Sequence, residues 1–228
     1  MSIYRINKTN FVDQTSRISF KFDGKTYFGY KGDTLASALL SNGIHLLGRS
    51  FKYHRPRGIM TCGSEEPNAI CQINDETELS EPNVRATEIE LYEGLEASTQ
   101  NCWPSVNFDI GGINNFISPF IPAGFYYKTF MWPKSFWKNI YEPLIRKSAG
   151  LGKSPIKADP EIYDHKHVHC DVLVIGGGIS GIISAKLAAQ KNLNTILVDD
   201  KNTLGGSTII QENEDFKINN EISKDWLI

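Results

Sequence analysis

The residues Asp171-Val-Leu-Val-Ile-Gly-Gly-Gly-Ile-Ser-Gly181 carry the pattern that decides how this chain folds. A short apolar run leads into a glycine turn with the spacing G-x-G-x-x-G, and an apolar stretch suited to a helix follows. Thr195-Ile-Leu-Val-Asp-Asp200 repeats an apolar run and ends in two acids. A strand, a glycine turn, a helix and a second strand in this order predict the first βαβ unit of a Rossmann-like dinucleotide-binding domain.

The three glycines of this spacing have different physical roles. Gly176 allows the tight turn out of the strand, Gly178 lets the backbone approach a pyrophosphate, and Gly181 lets the helix pack closely on the strand. Backbone N–H groups at the start of the helix then face the phosphates. Asp199, or its neighbour Asp200, is placed to accept hydrogen bonds from the adenosine ribose, which favours NAD or FAD over NADP. The alternative is a turn of small residues that binds no ligand.

A second glycine pair follows the acids and completes the predicted cofactor site. The site consists of Gly176, Gly178, Gly181, Asp199, Asp200, Gly205 and Gly206. These residues do not decide between NAD and FAD. Since only two strands and one helix of a doubly wound sheet can be identified, we expect this domain to be incomplete in the chain.

The composition excludes several classes of protein. The 24 basic and 26 acidic residues give a formal charge of −2, which provides no general attraction to nucleic acid or to an anionic membrane. No apolar run is long enough for a membrane span, and the first residues lack the apolar region of a signal peptide. Four widely spaced cysteines in such a chain indicate reduced thiols. We therefore expect a cytoplasmic protein.

The first part of the chain has the opening of a β-grasp domain. Two alternating stretches within residues 17–30 are joined by Asp23-Gly24, which predicts a hairpin with a type I′ turn. Residues 35–43 suit a short helix capped by Asp33 or Thr34. A hairpin followed by a helix across its face is the start of the ubiquitin-like and plant-ferredoxin-like architecture.

Further strands of this domain are predicted at 69–73 and 86–92. A plant-type [2Fe–2S] cluster requires the pattern C-x₄-C-x₂-C and a distant fourth cysteine. The corresponding loop, residues 48–64, contains only Cys62, and the next cysteine is Cys71. We therefore predict a ferredoxin-like domain without a cluster, in which the cysteines are ordinary core or loop thiols.

The segment that follows differs in composition, because it is rich in aromatic residues and broken by prolines. So many rings cannot be buried against one another. The segment therefore lies along another domain or subunit, or packs within its own chain, and both interpretations stay open. The aromatic residues are Phe116, Phe120, Phe125, Tyr126, Tyr127, Phe130, Trp132, Phe136, Trp137 and Tyr141.

Two polar clusters have both a chemical and a structural interpretation. The first is a basic loop between residues 49 and 57, which can hold a phosphate or carboxylate, but a solvated face or an internal ion-pair network is favoured. His165, His167 and His169 are metal-like by residue type, but they alternate along an extended segment and no carboxylate is placed as a general base, so we predict no metal site. The basic loop residues are Arg49, Lys52, His54, Arg55 and Arg57.

Several long strings in the chain are far more specific than the glycine spacing. They are Gly48-Arg-Ser-Phe-Lys-Tyr-His-Arg-Pro-Arg-Gly58, Glu65-Glu-Pro-Asn68, Pro122-Ala-Gly-Phe-Tyr-Tyr-Lys-Thr-Phe-Met-Trp-Pro133, Tyr141-Glu-Pro-Leu-Ile-Arg146 and His169-Cys-Asp-Val-Leu-Val-Ile-Gly176. These strings resemble the alpha subunit of heterotetrameric sarcosine oxidase, and the resemblance extends through Gly205-Gly-Ser207 and Trp226-Leu227.

The resemblance implies a flavoenzyme complex that oxidises sarcosine to glycine, with tetrahydrofolate as one-carbon acceptor and electrons passing through FAD and FMN to oxygen. It implies beta, gamma and delta subunits as partners, with the amine-oxidising flavin and the substrate pocket in the beta subunit. The alpha subunit is expected to bind NAD, to share the FMN site and to bind folate near its C-terminal end. Because the family continues several times further, folate binding and the second half of the dinucleotide site are expected to be absent here.

These observations predict an α+β part followed by an α/β part. Residues 1–102 form the β-grasp domain, 103–168 an aromatic connector and 169–228 the incomplete Rossmann-like domain. We expect an oxidoreductase component acting on CH–NH donors, inactive as this chain alone, since no residue stands out as acid, base or nucleophile. The alternatives are a non-catalytic fragment or interaction module, or the large subunit of a related opine oxidase or hydrogen cyanide synthase, in which cluster cysteines are retained.

Overall fold

A computed structural model describes residues 4–5, 12–74, 78–120, 124, 130–201, 203–206, 217–218 and 221–222. The chain divides into two compact units, Met1–Pro160 and Glu161–Ile228. The first unit therefore includes most of the segment predicted as a connector.

The first unit is built around a five-stranded mixed sheet with the order β2-β1-β7-β5-β6. Strands β1 and β7 are parallel, and the other neighbouring strands are antiparallel. A separate two-stranded ladder joins β3 and β4. The strands are β1 Asp13–Phe22, β2 Lys25–Lys31, β3 Gly48–Arg49, β4 Pro56–Arg57, β5 Ile70–Ile73, β6 Glu81–Arg85 and β7 Glu96–Thr99.

The hairpin between β1 and β2 confirms the predicted type I′ turn. Asp23 and Gly24 have φ angles of 48° and 74°, and Phe22 is paired with Lys25 across the turn. A type I′ turn requires positive φ at both central residues, and its twist matches the twist of the flanking strands. The alternating sequence then directs Phe20 and Phe22 into the core.

Helix α1, Leu35–Ser41, begins and ends where the sequence predicts. Thr34 is the N-cap: its hydroxyl accepts from the N–H of Ser37, and the Ser37 hydroxyl accepts from the N–H of Thr34. The helix buries Leu35, Ala38 and Leu39 against the sheet. A hairpin, a crossing helix and a parallel pairing of the first and last strands give this unit the β-grasp topology.

The prediction of a strand at 69–73 is confirmed by β5, whereas the prediction of a strand at 86–92 is wrong. The strand in this part of the chain is β6, which ends at Arg85, and the residues after it contact the start of α1. The carbonyl groups of Ala86 and Ile89 accept from the N–H groups of Ala36 and Leu35, both at 2.9 Å. These carbonyl groups satisfy N–H groups that a helix leaves free at its first turn.

The segment after β7 forms short helices. They are the 3₁₀ turns Ile110–Gly112 and Ser118–Phe120, the helix α2 Ile113–Phe116, the π-helical turn Trp137–Tyr141 and the helix α3 Glu142–Ala149. Several of the aromatic side chains are exposed within the unit, among them Phe116, Phe120 and Trp132. The positions Pro122, Phe125, Tyr126 and Tyr127 lie outside the described residues.

The second unit contains the predicted βαβ unit. Strand β8 is Val172–Ile175, helix α4 is Ile179–Gln190 and strand β9 is Thr195–Val198; β8 and β9 are parallel, with Val172 paired to Thr195 and Ile175 to Val198. A small antiparallel pair, β10 Lys217–Ile218 and β11 Glu221–Ile222, follows. Within the described part of the chain, no helix has the length and apolar character needed to cross a membrane.

Candidate dinucleotide-binding site

The glycine turn connects the end of β8 to the start of α4. Gly176 has a φ of 102°, a conformation that side chains disfavour, and its N–H donates to the Val198 carbonyl at 2.8 Å. Gly178 is the N-cap of α4. The backbone therefore reverses between the strand and the helix within a few residues, beside the end of β9.

Two of the glycines are constrained in opposite ways. A Cβ at Gly181 would overlap the Gly176 carbonyl oxygen, so the close packing of helix on turn excludes any side chain there. Gly178 has an ordinary φ of −71°, and no atom of the described residues lies within 4 Å of a Cβ built on it. Among these residues, the space at Gly178 is therefore open, beside the first N–H groups of α4, where a phosphate is favoured.

The acid at the end of β9 is tied to the turn. Asp199 accepts from the Gly177 N–H through Oδ2 and from the Lys201 N–H through Oδ1, at 2.9 Å for the second. Both hydrogen bonds lower the pKa of Asp199 and keep the carboxylate ionised, and the hydrogen bond from Gly177 has the larger effect. Asp200, the neighbouring candidate, is exposed beside it.

The second glycine pair packs against the first. Gly205 forms a parallel bridge with Gly178, and its N–H donates to the Gly177 carbonyl at 2.7 Å. A Cβ on Gly206 would lie 3.2 Å from the Gly178 Cα. The structure thus brings the predicted residues of both glycine groups together at one end of the parallel strand pair.

Sequence reasoning missed Gly177 and Leu204. Gly177 donates to Asp199, and a Cβ on it would overlap the Leu204 side chain. The run of three consecutive glycines, where the spacing requires only the outer two, is the signal that could have revealed this constraint. The middle glycine is therefore the residue of the turn that packs tightly against Leu204.

Known protein families match two separate regions of the chain. The family described as 2Fe-2S iron-sulfur cluster binding domain matches residues 15–102, and the family described as FAD dependent oxidoreductase matches residues 171–217. The sarcosine oxidase subunit alpha of Rhizobium meliloti (strain 1021) is 54% identical over 209 residues, which is 92% of this chain. The chain belongs to the sarcosine oxidase alpha-subunit family.

Other relatives support the same assignment. The sarcosine oxidase subunit alpha of Corynebacterium sp. (strain P-1) is 30% identical over 86% of the chain. The chain spans about a fifth of the length of these relatives, 21% of the Rhizobium protein and 16% of the Corynebacterium protein. A solved structure of L-proline dehydrogenase from P. horikoshii has a similar fold, with a TM-score of 0.54 and 19% identity over 100% of this chain and 32% of that one.

The cysteines of this family member do not fit an iron–sulfur cluster, although the first family description names one. Cys62 is exposed and Cys71 is buried within β5, where burial raises the pKa of the thiol to about 12. Cys102 is half-buried beyond β7, and burial raises its pKa as well. A cluster is held by thiolates at C-x₄-C-x₂-C spacing, which these cysteines do not have. In addition, Cys71 is buried and keeps its proton at neutral pH, so it does not offer a thiolate to iron.

The basic loop makes internal contacts, which supports the structural interpretation. Arg49 donates to the Val106 carbonyl from Nε and Nη2, at 2.8 and 2.6 Å. His54 Nδ1 lies 2.6 Å from Asp109 Oδ2, and Arg55 Nε donates to Asn115 Oδ1 at 2.9 Å. These contacts use carbonyl and amide oxygens as well as one acid, and they fasten the loop to the segment after β7.

The three alternating histidines lie on an exposed extended segment. His165, His167 and His169 have exposed side chains in a stretch without regular secondary structure. Throughout the part of the chain that the structure describes, no three histidine, cysteine or acidic side chains come together as metal ligands would. The absence of a metal site stays a prediction.

Proposed function

We propose that this chain supplies the dinucleotide-binding turn and part of the scaffold of a sarcosine-oxidising flavoenzyme complex. The observation that carries the proposal is the glycine turn: a tight turn, a free helix start, an ionised acid and open space at Gly178 lie together. The 54% identity to a sarcosine oxidase alpha subunit supports the substrate class. The seven residues predicted from the sequence would hold the cofactor.

In the proposed reaction, sarcosine is oxidatively demethylated to glycine, tetrahydrofolate accepts the one-carbon unit and oxygen is reduced to hydrogen peroxide. FAD and FMN supply the electron transfer when bound in the assembled complex. Beta, gamma and delta subunits are the proposed partners, and sarcosine and tetrahydrofolate bind outside this chain. The chain contributes binding and scaffolding, is inactive alone, and acts in the cytoplasm without a nucleic-acid or membrane partner.

The proposed ligand of the glycine turn is NAD, because the family resemblance implies it. FAD is the second candidate, supported by the match of residues 171–217 to FAD dependent oxidoreductases. Asp199 suits both, since both have an adenosine ribose with free hydroxyl groups. A titration with each dinucleotide therefore distinguishes them.

Gly178→Val tests the assignment in the complete alpha subunit. Valine can adopt the backbone conformation of Gly178, and its Cβ would have no atom of the described residues within 4 Å, so the fold should be retained while the side chain blocks the pyrophosphate. We expect calorimetric titration to show no binding of NAD or FAD, and circular dichroism to show an unchanged fold. Equal affinities of the wild type and this variant for both dinucleotides would refute the site.

The alternative Gly181→Ala should behave differently and serves as the comparison. Because a Cβ there overlaps the Gly176 carbonyl oxygen, this variant should disturb the turn and lose both binding and thermal stability. Loss of binding at unchanged thermal stability therefore indicates that the side chain blocks the ligand. Loss of both binding and stability indicates that the packing of the turn is disturbed.

We also propose that the β-grasp domain carries no iron–sulfur cluster, supported by the positions of Cys62, Cys71 and Cys102. After anaerobic purification with iron and sulfide available, the protein should contain no stoichiometric iron and show no visible absorption of the [2Fe–2S] type. Two irons per chain with acid-labile sulfide would contradict this and favour the cyanide synthase relatives, which retain cluster cysteines.

A non-catalytic interaction module is the second candidate function. The exposed rings Phe116, Phe120 and Trp132 favour it, because large exposed apolar groups mark surfaces that bind partners. The genes beside this one distinguish the two. Genes for beta, gamma and delta subunits and for the remaining alpha sequence would support the enzyme, and their absence would support the module.

A further inference from the structure

The loop from Met60 to Ala69 is organised around one buried carboxylate. Glu66 is 1% exposed. Its Oε2 accepts from the N–H groups of Met60 and Thr61, both at 2.7 Å. Its Oε1 accepts from the N–H groups of Asn68 and Ala69, at 2.7 and 3.1 Å. Four backbone donors from both ends of the loop therefore converge on a single side chain.

These hydrogen bonds, and not an ion pair, balance the charge. In the described part of the chain, Glu66 forms no salt bridge with a lysine, arginine or histidine. Burial acts to raise the pKa of Glu66, but the four N–H donors outweigh burial and lower the pKa below its ordinary value. The loop thus encloses a negative charge at neutral pH.

The residues around this charge have the spacing of cluster ligands. Thr61, Glu66 and Ala69 are separated by four and then two residues, which is the spacing C-x₄-C-x₂-C with the cysteines replaced. Thr87 supplies a side chain from a distant position: it is 8% exposed, and its hydroxyl donates to the Gly63 carbonyl at 2.6 Å. Residues 15–102 match a family that is described by its cluster.

We propose that the Glu66 carboxylate takes the place of an iron–sulfur cluster in this loop, with Thr61, Glu66, Ala69 and Thr87 at the four ligand positions. A cluster held by four thiolates is anionic, and N–H groups of its loop hydrogen-bond to the sulfurs. Here a carboxylate of the chain itself accepts those N–H groups and keeps the loop folded without iron. This role concerns only the first unit, so it does not depend on dinucleotide binding.

Glu66→Gln tests the carboxylate, with Glu65→Gln as the matched control. Glutamine keeps the shape but directs an amide NH₂ at two backbone N–H donors, whereas Glu65 is exposed and loses only charge. In the full chain at pH 7, we expect a fall in Tm of about 5–15 °C for Glu66→Gln and of about 2 °C or less for Glu65→Gln. Equal Tm values of the two variants would overturn the proposal.

The pH dependence of this difference is a further readout. Because the pKa of Glu66 is lower in the folded protein than its ordinary value of 4.5, its stabilising effect is complete above that pH. It is lost as the pH falls through the folded-state pKa. The Tm difference between wild type and Glu66→Gln should therefore narrow in acid, and a difference independent of pH would contradict an ionised carboxylate.

The ligand positions are tested by restoring the thiolates. The variant with Thr61→Cys, Glu66→Cys, Ala69→Cys and Thr87→Cys is reconstituted anaerobically with ferrous iron and sulfide. We expect about two irons and two acid-labile sulfides per chain, with the visible absorption of a [2Fe–2S] cluster. The wild type, which has four cysteines at other positions, is the control and should bind none. A variant that takes up no iron, whether folded or not, contradicts the four positions.

Discussion

Asp199 illustrates how one side chain can serve both the fold and a ligand. Its two oxygens accept from the backbone N–H groups of Gly177 and Lys201, so the carboxylate is ionised and fixed beside the glycine turn. Each carboxylate oxygen has a second lone pair that can accept from a ribose hydroxyl. Its fixed orientation means that little conformational entropy is lost when a ligand binds.

Asp199→Ala should therefore weaken dinucleotide binding by about tenfold, through loss of a charge-assisted hydrogen bond. The effect should be smaller than that of Gly178→Val, which removes the space for the pyrophosphate. Asp200→Ala is the comparison, because Asp200 is the other candidate for the ribose acceptor and this variant removes the same charge from an exposed neighbour. Calorimetric titration of the complete subunit gives the affinities, and equal losses in the two aspartate variants would argue against Asp199 as the ribose acceptor.

The N–H groups in the first turn of helix α1 donate hydrogen bonds to both local and distant acceptors. The Thr34 hydroxyl accepts from Ser37, while the carbonyl groups of Ala86 and Ile89 accept from the two N–H groups before it. The cap is readable from the sequence because donor and acceptor are three residues apart. The other two partners lie about fifty residues away, so the sequence of 86–92 predicts a strand although its carbonyl groups accept from this helix start.

Thr34→Ala should lower the free energy of unfolding by about 1 kcal/mol, because the capping hydroxyl is lost. Thr34→Ser is the control, since it keeps the hydroxyl in place and should change stability by only a few tenths of a kcal/mol. Urea denaturation monitored by circular dichroism measures both values. If serine and alanine were equally destabilising, the methyl packing of Thr34 rather than its cap would be responsible.

The two units differ in how completely they bury their apolar residues. The first unit has a core that includes Phe20, Leu35, Leu39, Leu47 and Leu95, each at most 1% exposed. In the second unit, Leu173 is 55% and Ile175 81% exposed on a strand with an apolar sequence. Strands of a parallel sheet are normally covered on both faces, so the described part of the second unit has apolar surface to bury.

This difference predicts the outcome of limited proteolysis of the chain. Residues 1 to about 100 should resist digestion, because a closed core and a continuous sheet protect the backbone. The region beyond 165 should be cut rapidly and bind dinucleotide weakly or not at all, since its strands lack burial on both sides. Mass spectrometry of the fragments is the measurement. A protected fragment covering 165–228 would show that the second unit is completed in another way, for example by a partner chain.

The segment after β7 also combines internal contacts with exposed apolar side chains. Arg49, His54 and Arg55 fasten this segment to the basic loop of the same unit, which supports packing within its own chain. The rings Phe116, Phe120 and Trp132 nevertheless remain exposed. The structure therefore supports packing within the chain, whereas contact of the exposed rings with another domain or subunit stays a prediction.

Local determinants in the sequence are enough to specify the turn at Asp23-Gly24, the Thr34 cap, and the strand, glycine turn and helix around Gly176. In each of them the decisive atoms are a few residues apart, so residue type and spacing specify the geometry. The strand order β2-β1-β7-β5-β6, the bond from Gly177 to Asp199 and the four amides around Glu66 were decided by tertiary structure. Their partners come from separate parts of a loop, a turn or the sheet, and which buried donors and acceptors pair depends on the packing of the whole unit.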